Sequence, residues 1–305
     1  MKQQAQRLLR SVICPLIAAI IWGSAFVAQG VGAETIPPFA FTATRSWIGA
    51  GFLFILSLII RRKTPSPFRR ENRTYRHNLF LGGLACGVMM CIATNLQQAG
   101  MADTDPGKAG FITSLYVVLV PIFGLFCRRR APYTVWIGTV IALLGLYFLC
   151  ITDSLSVAPS DAVILLCAVF FSFQILIIDR VSPRVNGIHL CCVQLLVNAV
   201  ISTVLTFVFE QPKFDAIVAC WFPLVYVGVM SSGIAYTLQI VSQKNSNPTV
   251  VTLLLSLESV FAVLTGWLLL GDTLSAREWL GCALMFGAVT LANIPAPTRK
   301  PVKNE

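Results

Sequence analysis

Two ionisable residues, Arg45 and Glu258, lie inside long apolar stretches of the sequence. A charged group inside a lipid bilayer costs at least about 2.5 kcal/mol on insertion scales, so it should face a partner or a water-filled cavity. Glu258 lies roughly nine residues into its stretch, which at about 1.5 Å per residue is about 14 Å deep and near the bilayer midplane. Its carboxyl group could bind a cationic group of a solute or exchange a proton. Alternatively, it is a fixed ion-pair or hydrogen-bond partner of a neighbouring helix.

Arg45 lies closer to the end of its apolar stretch, at a depth of about 10 Å. From that depth its long side chain could reach the membrane surface, as basic side chains near helix ends do. It could equally face a cavity and bind the carboxylate of a substrate. Both interpretations stay open from the sequence alone.

Polar and aromatic side chains recur on single helical faces of four apolar stretches. Residues spaced three or four apart share one face of a helix, and a polar stripe on an otherwise apolar helix points inward. Together the stripes predict a shared polar cavity, although the same residues could form hydrogen bonds between helices. The stripes are Trp22, Phe26 and Gln29; Cys91, Asn95 and Gln98; Gln194, Asn198 and Ser202; and Ser232, Tyr236 and Gln239.

The sequence carries no recognisable catalytic or metal-binding motif. His-Glu-x-x-His, Gly-x-Ser-x-Gly and paired aspartates are missing from the apolar stretches, since Asp103 and Asp105 lie between two of them. The ten cysteines show no metal-ligand spacing, and most lie in apolar stretches, where cysteine packs as a small hydrophobe. We therefore expect no enzymatic activity, no cofactor and no metal site.

Ten apolar stretches dominate the 305-residue chain, in which 56% of the residues are hydrophobic and only 12% are charged. An average soluble protein has about 25% charged residues, and about 20 apolar residues cross the hydrocarbon core of a bilayer. The composition therefore excludes a disordered chain, a fibrous chain and an ordinary soluble enzyme. It predicts an all-α polytopic membrane protein with ten transmembrane helices, approximately at 11–31, 38–60, 79–102, 109–127, 133–152, 162–178, 188–209, 217–240, 249–270 and 279–295.

The basic residues that give the net charge of +10 lie in short clusters between the apolar stretches, such as Arg69-Arg70 and Arg128 to Arg130. This distribution argues against nucleic-acid binding, which needs a basic face. Nearly all Lys and Arg residues fall on the side that holds both termini, and only three fall on the other. Because basic loops stay in the cytoplasm, we expect an integral protein of the bacterial plasma (inner) membrane with both termini cytoplasmic.

A weak internal repeat relates the two halves of the chain. If it is real, each copy holds five helices, so the second copy enters the membrane from the opposite side. Inverted repeats of this kind are typical of secondary transporters, which bind the substrate between the halves. We place the copies at 11–152 and 160–295. At an offset of 142, Leu96-Gln97 matches Leu238-Gln239, Pro106 matches Pro248 and Ser114-Leu115 matches Ser256-Leu257; at 149, Trp22 matches Phe171 and Arg45 matches Gln194.

Several motifs resemble signatures of the EamA family of the drug/metabolite transporter superfamily. The run from Leu257 to Asp272, followed by Trp279-Leu-Gly281, resembles the C-terminal signature, although Ser259 stands where the family often has proline. Trp22-Gly-Ser24 resembles the first-helix motif, and Ser114-Leu-Tyr116 resembles the first-half signature. The resemblance covers about 11–295. It implies ten helices in two inverted five-helix halves and the export of small metabolites, often amino acids.

These observations favour a secondary transporter that exports a small organic metabolite, an amino acid or similar, by alternating access. The alternatives are an intramembrane enzyme, a channel, which would be expected to show charge rings or filter repeats, and an EamA-like carrier for nucleotide sugars or drugs. The expected partners are the solute and the lipid bilayer; coupling to protons and a homodimer are left open. The candidate substrate-binding residues are Glu258, Arg45, Trp22, Gln29, Asn95, Tyr116, Gln194 and Tyr236.

Overall fold

The structure, a computed structural model, describes residues 9–63, 73–126, 132–150, 158–244, 246–270 and 274–293. Every regular element within these ranges is helical, and eight helices are long and apolar enough to cross a membrane. The expectation of an all-α polytopic membrane protein is therefore confirmed. The basic clusters Arg69-Arg70 and Arg128 to Arg130, and the motif residue Asp272, lie outside the described ranges.

We number the ten long helices α1 to α10 in chain order. Two short elements accompany them, a 3₁₀ turn at Ser182–Arg184 and a helix at Phe214–Ala219. The bounds are α1, π-helical Leu9–Ile13 and Cys14–Thr35; α2, Pro38–Lys63; α3, Arg73–Gly100; α4, Pro106–Ser114 and Tyr116–Phe126; α5, Tyr133–Cys150; α6, Pro159–Val181; α7, Gly187–Phe209; α8, Trp221–Tyr226, π-helical Val227–Ala235 and Tyr236–Gln243; α9, Pro248–Leu255 and Glu258–Leu270; and α10, Ala276–Asn293.

Two of the ten long helices are less suited to crossing a membrane alone. The apolar part of α5 is short, Tyr133–Leu149. Helix α10 carries Arg277 and Glu278 near its start and ends at Asn293. These two helices pack against each other, so each covers part of the other. The expectation of ten spans therefore stays a prediction, whereas eight candidate spans are present.

Proline or asparagine stands at the start of several helices. Proline opens α2, α4, α6 and α9, where its fixed φ suits the first turn and its missing N–H is not needed. The Asn247 side chain caps α9 by accepting a hydrogen bond from the Thr249 N–H at 3.0 Å. Glu210, which follows α7, accepts hydrogen bonds at 2.8 Å from the backbone N–H groups of Phe39 and Ala40 in α2. These caps satisfy backbone donors at the helix ends.

Two helices are interrupted inside their apolar stretches, α4 at Leu115 and α9 at Ser256-Leu257. These are the positions that the offset of 142 relates in the sequence. Helix α8 widens to a π-helix over Val227–Ala235. Leu115 and Ser256 keep right-handed helical dihedral angles, so each interruption is a local change in the hydrogen bonding of one helix. π-helical segments such as that of α8 are frequent at functional sites.

The helices pack with close backbone contacts at glycine. Helix α3 packs on α6 and α7, α8 on α1 and α2, α2 on α7, and α1 on α9. A Cβ at Gly87 in α3 would come within 2.9 Å of the Gln194 carbonyl oxygen, and one at Gly228 in α8 within 3.0 Å of the Arg45 carbonyl oxygen. Small residues of this kind allow transmembrane helices to approach closely.

We predict that Gly281→Ala destabilises the α5–α10 pair. The new Cβ would lie 2.7 Å from both the Gly145 carbonyl oxygen and the Leu149 nitrogen, and these backbone atoms cannot rotate away. Overpacking of this kind costs about 1–3 kcal/mol, so thermal unfolding of the purified protein should begin at a lower temperature. Gly287→Ala is the matched control, because no atom lies within 4 Å of its added Cβ. Equal melting temperatures for the two variants would show that the α5–α10 contact is loose.

Candidate functional site

A narrow cavity lies where the broken helices α4 and α9 meet α1, α2, α3, α6 and α8. Its volume of about 30 Å³ gives room for about two water molecules. The lining combines aromatic rings, amides, hydroxyls and two ionisable groups of opposite charge. The lining residues are Trp22, Phe26, Gln29, Arg45, Gln97, Thr113, Tyr116, Phe171, Ile175, Ser231, Tyr236, Gln239, Leu255 and Glu258.

Six of the eight sequence candidates line this cavity, although they come from five different helices. The interruptions of the helices account for part of this arrangement. Tyr116 and Glu258 are each the first residue after the break in α4 and α9, and Tyr236 is the first residue after the π-helical segment of α8. The other three are Trp22, Gln29 and Arg45.

The remaining two candidates, Asn95 and Gln194, lie outside the cavity in polar contacts between helices. The Asn95 amide nitrogen donates hydrogen bonds of 2.8 Å to the Ser202 hydroxyl oxygen in α7 and to the Cys91 carbonyl oxygen in its own helix. Gln194 accepts a hydrogen bond of 3.3 Å from the Gln174 amide in α6. Both residues are buried. Their positions match the alternative that such stripes join helices to each other.

Arg45 is buried, with only 3% of its surface exposed. Its Nη1 donates a 2.7 Å hydrogen bond to the Gln29 Oε1, and its guanidinium carbon lies 5.9 Å from the centre of the Phe41 ring. Its Nη2 is buried without a hydrogen-bond partner among the described atoms. A buried donor without a partner costs about 1–3 kcal/mol. The position therefore favours a cavity-facing Arg45 over one that reaches the membrane surface.

Glu258 is likewise 3% exposed. Its Oε1 lies 3.3 Å from the Ser114 hydroxyl oxygen, and the nearby Tyr116 interacts with it electrostatically. The ion pair described for the chain joins Lys108 to Asp161 at 2.7 Å, and no ion pair is described for Glu258. Glu258 thus has hydrogen-bond partners on the neighbouring helix α4, which matches one of the alternatives from the sequence, and both a substrate-binding role and a scaffold role stay predictions.

Tyr236 lines the cavity with Arg45 and Glu258 and interacts electrostatically with both. Its ring packs edge-on against the Trp22 ring, with centres 4.9 Å apart. In the cavity lining, Arg45 Nη2 and Gln239 Oε1 are buried without a hydrogen-bond partner among the described residues, whereas the Tyr116 hydroxyl interacts with Glu258. The cavity thus offers a donor group, an acceptor group and an aromatic wall to a bound molecule.

Sequence reasoning missed Gln97 as a site residue. Gln97 lines the cavity together with Gln239, the residue that the offset of 142 relates to it. Its amide nitrogen donates a 3.2 Å hydrogen bond to the Thr113 hydroxyl. The repeat itself was the available signal, since an amide at the same place in both halves marks a shared position. The same offset relates Tyr116 to Glu258, and the offset of 149 relates Trp22 to Phe171.

The described residues contain no cluster of three or more His, Cys, Asp and Glu side chains that could hold a metal ion. The eight cysteines whose side chains the structure describes are buried and form no disulfide. The polar chemistry described for this cavity is therefore that of Arg45, Glu258 and the surrounding amides and hydroxyls.

The comparisons with known proteins agree with each other. The model of the EamA-like transporter family matches residues 9–151 and 159–294. The chain is similar to an uncharacterized transporter of Archaeoglobus fulgidus, with 28% identity over 284 residues that cover 91% of this chain and 84% of that protein. It is 25% identical to the uncharacterized inner membrane transporter YedA of Escherichia coli K12. The 282 aligned residues cover 90% of this chain and 88% of that protein. A solved crystal structure with 20% identity has the same fold, with a TM-score of 0.75 over 93% of this chain and 96% of that one.

We predict that Asn95→Ala lowers stability without removing solute binding. The change deletes hydrogen bonds to α7 and to its own helix, each worth about 0.6 kcal/mol in membrane proteins. The melting temperature should fall, while binding or transport per folded molecule should stay near the unmodified level. A stable Asn95→Ala variant without transport would instead place Asn95 on the solute path.

Proposed function

Because the chain belongs to the EamA-like transporter family, we propose that it is a secondary transporter that exports a small organic metabolite by alternating access. The observation that carries this proposal is the cavity beside the interruptions of α4 and α9, which Arg45, Glu258 and polar atoms without a described partner line together. A solute that supplies the missing partners would remove the cost of those unpaired groups. An enzyme would need a paired catalytic group beside Glu258, and a channel would need a continuous polar path.

The two halves of this carrier are the inverted repeats at 11–152 and 160–295, with both termini in the cytoplasm. The separate family matches at 9–151 and 159–294 support this division. The packing is also reciprocal: α3 lies on α6 and α7, while its counterpart α8 lies on α1 and α2. Gly87 faces the Gln194 carbonyl and Gly228 faces the Arg45 carbonyl, and Arg45 and Gln194 are themselves related by the repeat. Alternating access is then a rocking of one half against the other around the shared cavity.

The solute class that fits the cavity best is a zwitterion such as an amino acid. The free Nη2 of Arg45 can donate to a carboxylate, and Glu258 can accept from an ammonium group. Trp22 and Tyr236 would cover the apolar part of the solute between them. A nucleotide sugar fits less well, because phosphate recognition usually uses more cationic groups, and Arg45 is the one cation in the described cavity lining.

The cavity must widen before it accepts an organic solute. Ligand pockets usually have volumes of about 300 Å³ or more, ten times the space present here. The conformation described is therefore a constricted one, and binding requires the walls at α4, α8 and α9 to separate. An alternating-access cycle separates the cavity walls in this way, first toward one side of the membrane and then toward the other.

We predict that Glu258→Gln abolishes or uncouples transport while the protein still folds. The amide keeps the size of the side chain but neither ionises nor exchanges a proton. The measurement is counterflow of radiolabelled amino acids in proteoliposomes, with the melting temperature as the test of folding. Glu278→Gln is the control, because Glu278 bonds only to exposed Ser275 among the contacts described. Unchanged counterflow by the folded Glu258→Gln variant would contradict a role for this residue.

We predict that Arg45→Ala impairs carboxylate-bearing solutes more than uncharged ones. Without the guanidinium a substrate carboxylate loses a charge-assisted hydrogen bond worth about 1.5–3 kcal/mol, or roughly 10- to 150-fold in affinity. Competition of an amino acid and its amide for counterflow measures this difference. Arg180→Ala is the matched control, because Arg180 is exposed and lies outside this cavity. An equal loss of affinity for the amino acid and for its amide would show that Arg45 contributes to helix packing and does not bind the carboxylate.

A further inference from the structure

A wide groove opens on the lateral surface of the helix bundle, between α3, α4 and α6. Its volume is about 850 Å³, which lies in the range of about 300–1,000 Å³ that is usual for ligand pockets. Its walls are mainly apolar, and they include the exposed rings of Phe126 and Phe173. None of the described residues lines both this groove and the cavity. The groove is therefore a second place where a molecule can bind, and it opens toward the bilayer.

Helices α3 and α6, which both line the groove, run in opposite directions. An added Cβ at Gly82, near the start of α3, would collide with the Val181 side chain at the end of α6. One at Gly100, the last residue of α3, would collide with the Ile164 side chain near the start of α6. The start of α3 and the end of α6 therefore lie at the same end of the bundle.

Basic and polar side chains stand at this end of the groove. Arg180, in the last turn of α6, and Arg184, in the 3₁₀ turn that follows, both line the groove and are exposed. Asn78, in the second turn of α3, lines it as well. The described lining contains no Asp or Glu. Two guanidinium groups and an amide thus offer hydrogen-bond donors at this end, and no carboxylate of the described lining neutralises them.

The groove continues from this basic end into the apolar part of the bundle. On α3 it extends from Asn78 to Met89, a distance of about 16 Å at 1.5 Å per residue. One leaflet of the hydrocarbon core is about 15 Å thick. Further from Arg180 along α6, the Phe173 ring stacks on the Phe123 ring of α4, with centres 4.9 Å apart. The length of the groove therefore matches an acyl chain of one leaflet.

We propose that this groove binds one anionic phospholipid, with the phosphate at Arg180 and Arg184 and an acyl chain along the apolar walls. Guanidinium groups recognise phosphate through paired charge-assisted hydrogen bonds, and basic pockets between transmembrane helices bind anionic headgroups. Two cations without an acidic neighbour in the described lining also disfavour a headgroup that carries an ammonium group. Arginines at helix ends often serve only to orient a chain. Here a groove with the depth of one leaflet begins beside them, which orientation alone does not require.

A lipid in the groove contacts the same helices that line the solute cavity. Helix α4 lines the groove at Phe123 and the cavity at Tyr116, and helix α6 lines the groove at Phe173 and the cavity at Phe171. These helices belong to different halves of the proposed carrier. A movement that widens the cavity between them therefore also changes the groove, and the lipid restrains that movement. This consequence rests on the proposed function, whereas the binding of the lipid does not.

Native mass spectrometry of the full chain tests the recognition of the headgroup. The purified protein is equilibrated with equal amounts of anionic phosphatidylglycerol and zwitterionic phosphatidylcholine that have identical acyl chains. We expect one retained phosphatidylglycerol per protein, in preference to phosphatidylcholine. Arg180→Gln and Arg184→Gln should each lower this preference about fivefold, and the double variant about 30-fold, which is the scale of one basic residue near an anionic lipid surface. An unchanged preference in the double variant would overturn the proposal.

Arg10→Gln is the matched control for the removal of a basic group. Arg10 is exposed and lies outside the groove. It is at the same end of the bundle, because the last segment of α8 contacts both the π-helical start of α1 and the Ser182–Arg184 turn. The preference for phosphatidylglycerol should stay unchanged in this variant. A loss as large as that of Arg180→Gln would show that the arginines act through the general surface charge, and the proposed site would be wrong.

Ala85→Phe tests the acyl-chain part of the groove. Ala85 lines the groove on α3, and a phenyl ring there would fill apolar space without changing any charge. Fewer retained molecules of both lipids are expected. Ala283→Phe is the matched control, because Ala283 is exposed on α10 and lies outside the groove. Unchanged retention by Ala85→Phe would place the lipid elsewhere on the protein.

Thermal unfolding separates the lipid from other occupants of the groove. Phosphatidylglycerol should raise the melting temperature of the unmodified protein more than glycerol phosphate, which has the phosphate but no acyl chain. Equal stabilisation would assign the groove to a free phosphate compound, and a dimer without retained lipid would assign it to a second copy of this chain. The melting temperature in detergent alone shows whether each variant folds. None of these measurements uses a transported solute, so the failure of this proposal and the failure of the proposed function are distinguishable.

Discussion

The hydrocarbon core of a bilayer offers no hydrogen-bond partner, so every backbone N–H and C=O group that enters it must be satisfied within the protein. This constraint explains the helical architecture and also the location of the site. Backbone that departs from the α-helix is tolerated at membrane depth only where it is buried or lines a cavity. The departures in α4, α8 and α9 meet at one such cavity. Irregular backbone and polar side chains therefore share a single interior space.

The sequence predicts the helices well because the bilayer core accepts only long apolar segments, and hydropathy measures that property directly. It also identifies Arg45 and Glu258, since isolated charges in apolar stretches are few. The sequence does not distinguish polar residues that line the cavity from polar residues that form hydrogen bonds between helices. In α3, Asn95 contacts α7 while Gln97, two residues later, faces the cavity. Both faces of this helix are inside the protein, so polarity cannot tell them apart. The breaks at Leu115 and Ser256-Leu257 also escape local rules, because serine and leucine do not terminate helices.

The two halves contribute to the site equally in position and unequally in charge. Gln97 and Gln239 occupy related places on the cavity wall, as do the aromatic residues Trp22 and Phe171. Glu258 corresponds to Tyr116, and Arg45 corresponds to Gln194, so neither charge is duplicated. The related positions of the two halves thus provide amides and aromatic rings on both sides of the cavity. The two charged residues lie at positions where the halves differ, so the cavity has one positive and one negative group. The zwitterionic solute proposed above would have one preferred orientation in this cavity, with its anionic end toward Arg45.

The narrowness of the cavity has an electrical consequence for the cell. A membrane at 100 mV drives each elementary charge with about 2.3 kcal/mol, and a continuous column of water through the protein would let ions dissipate that potential. Space for about two water molecules is too little for such a column. In the carrier proposed above, this constriction would keep the cavity itself from conducting ions between transport events, so that the ion gradients of the cell are preserved.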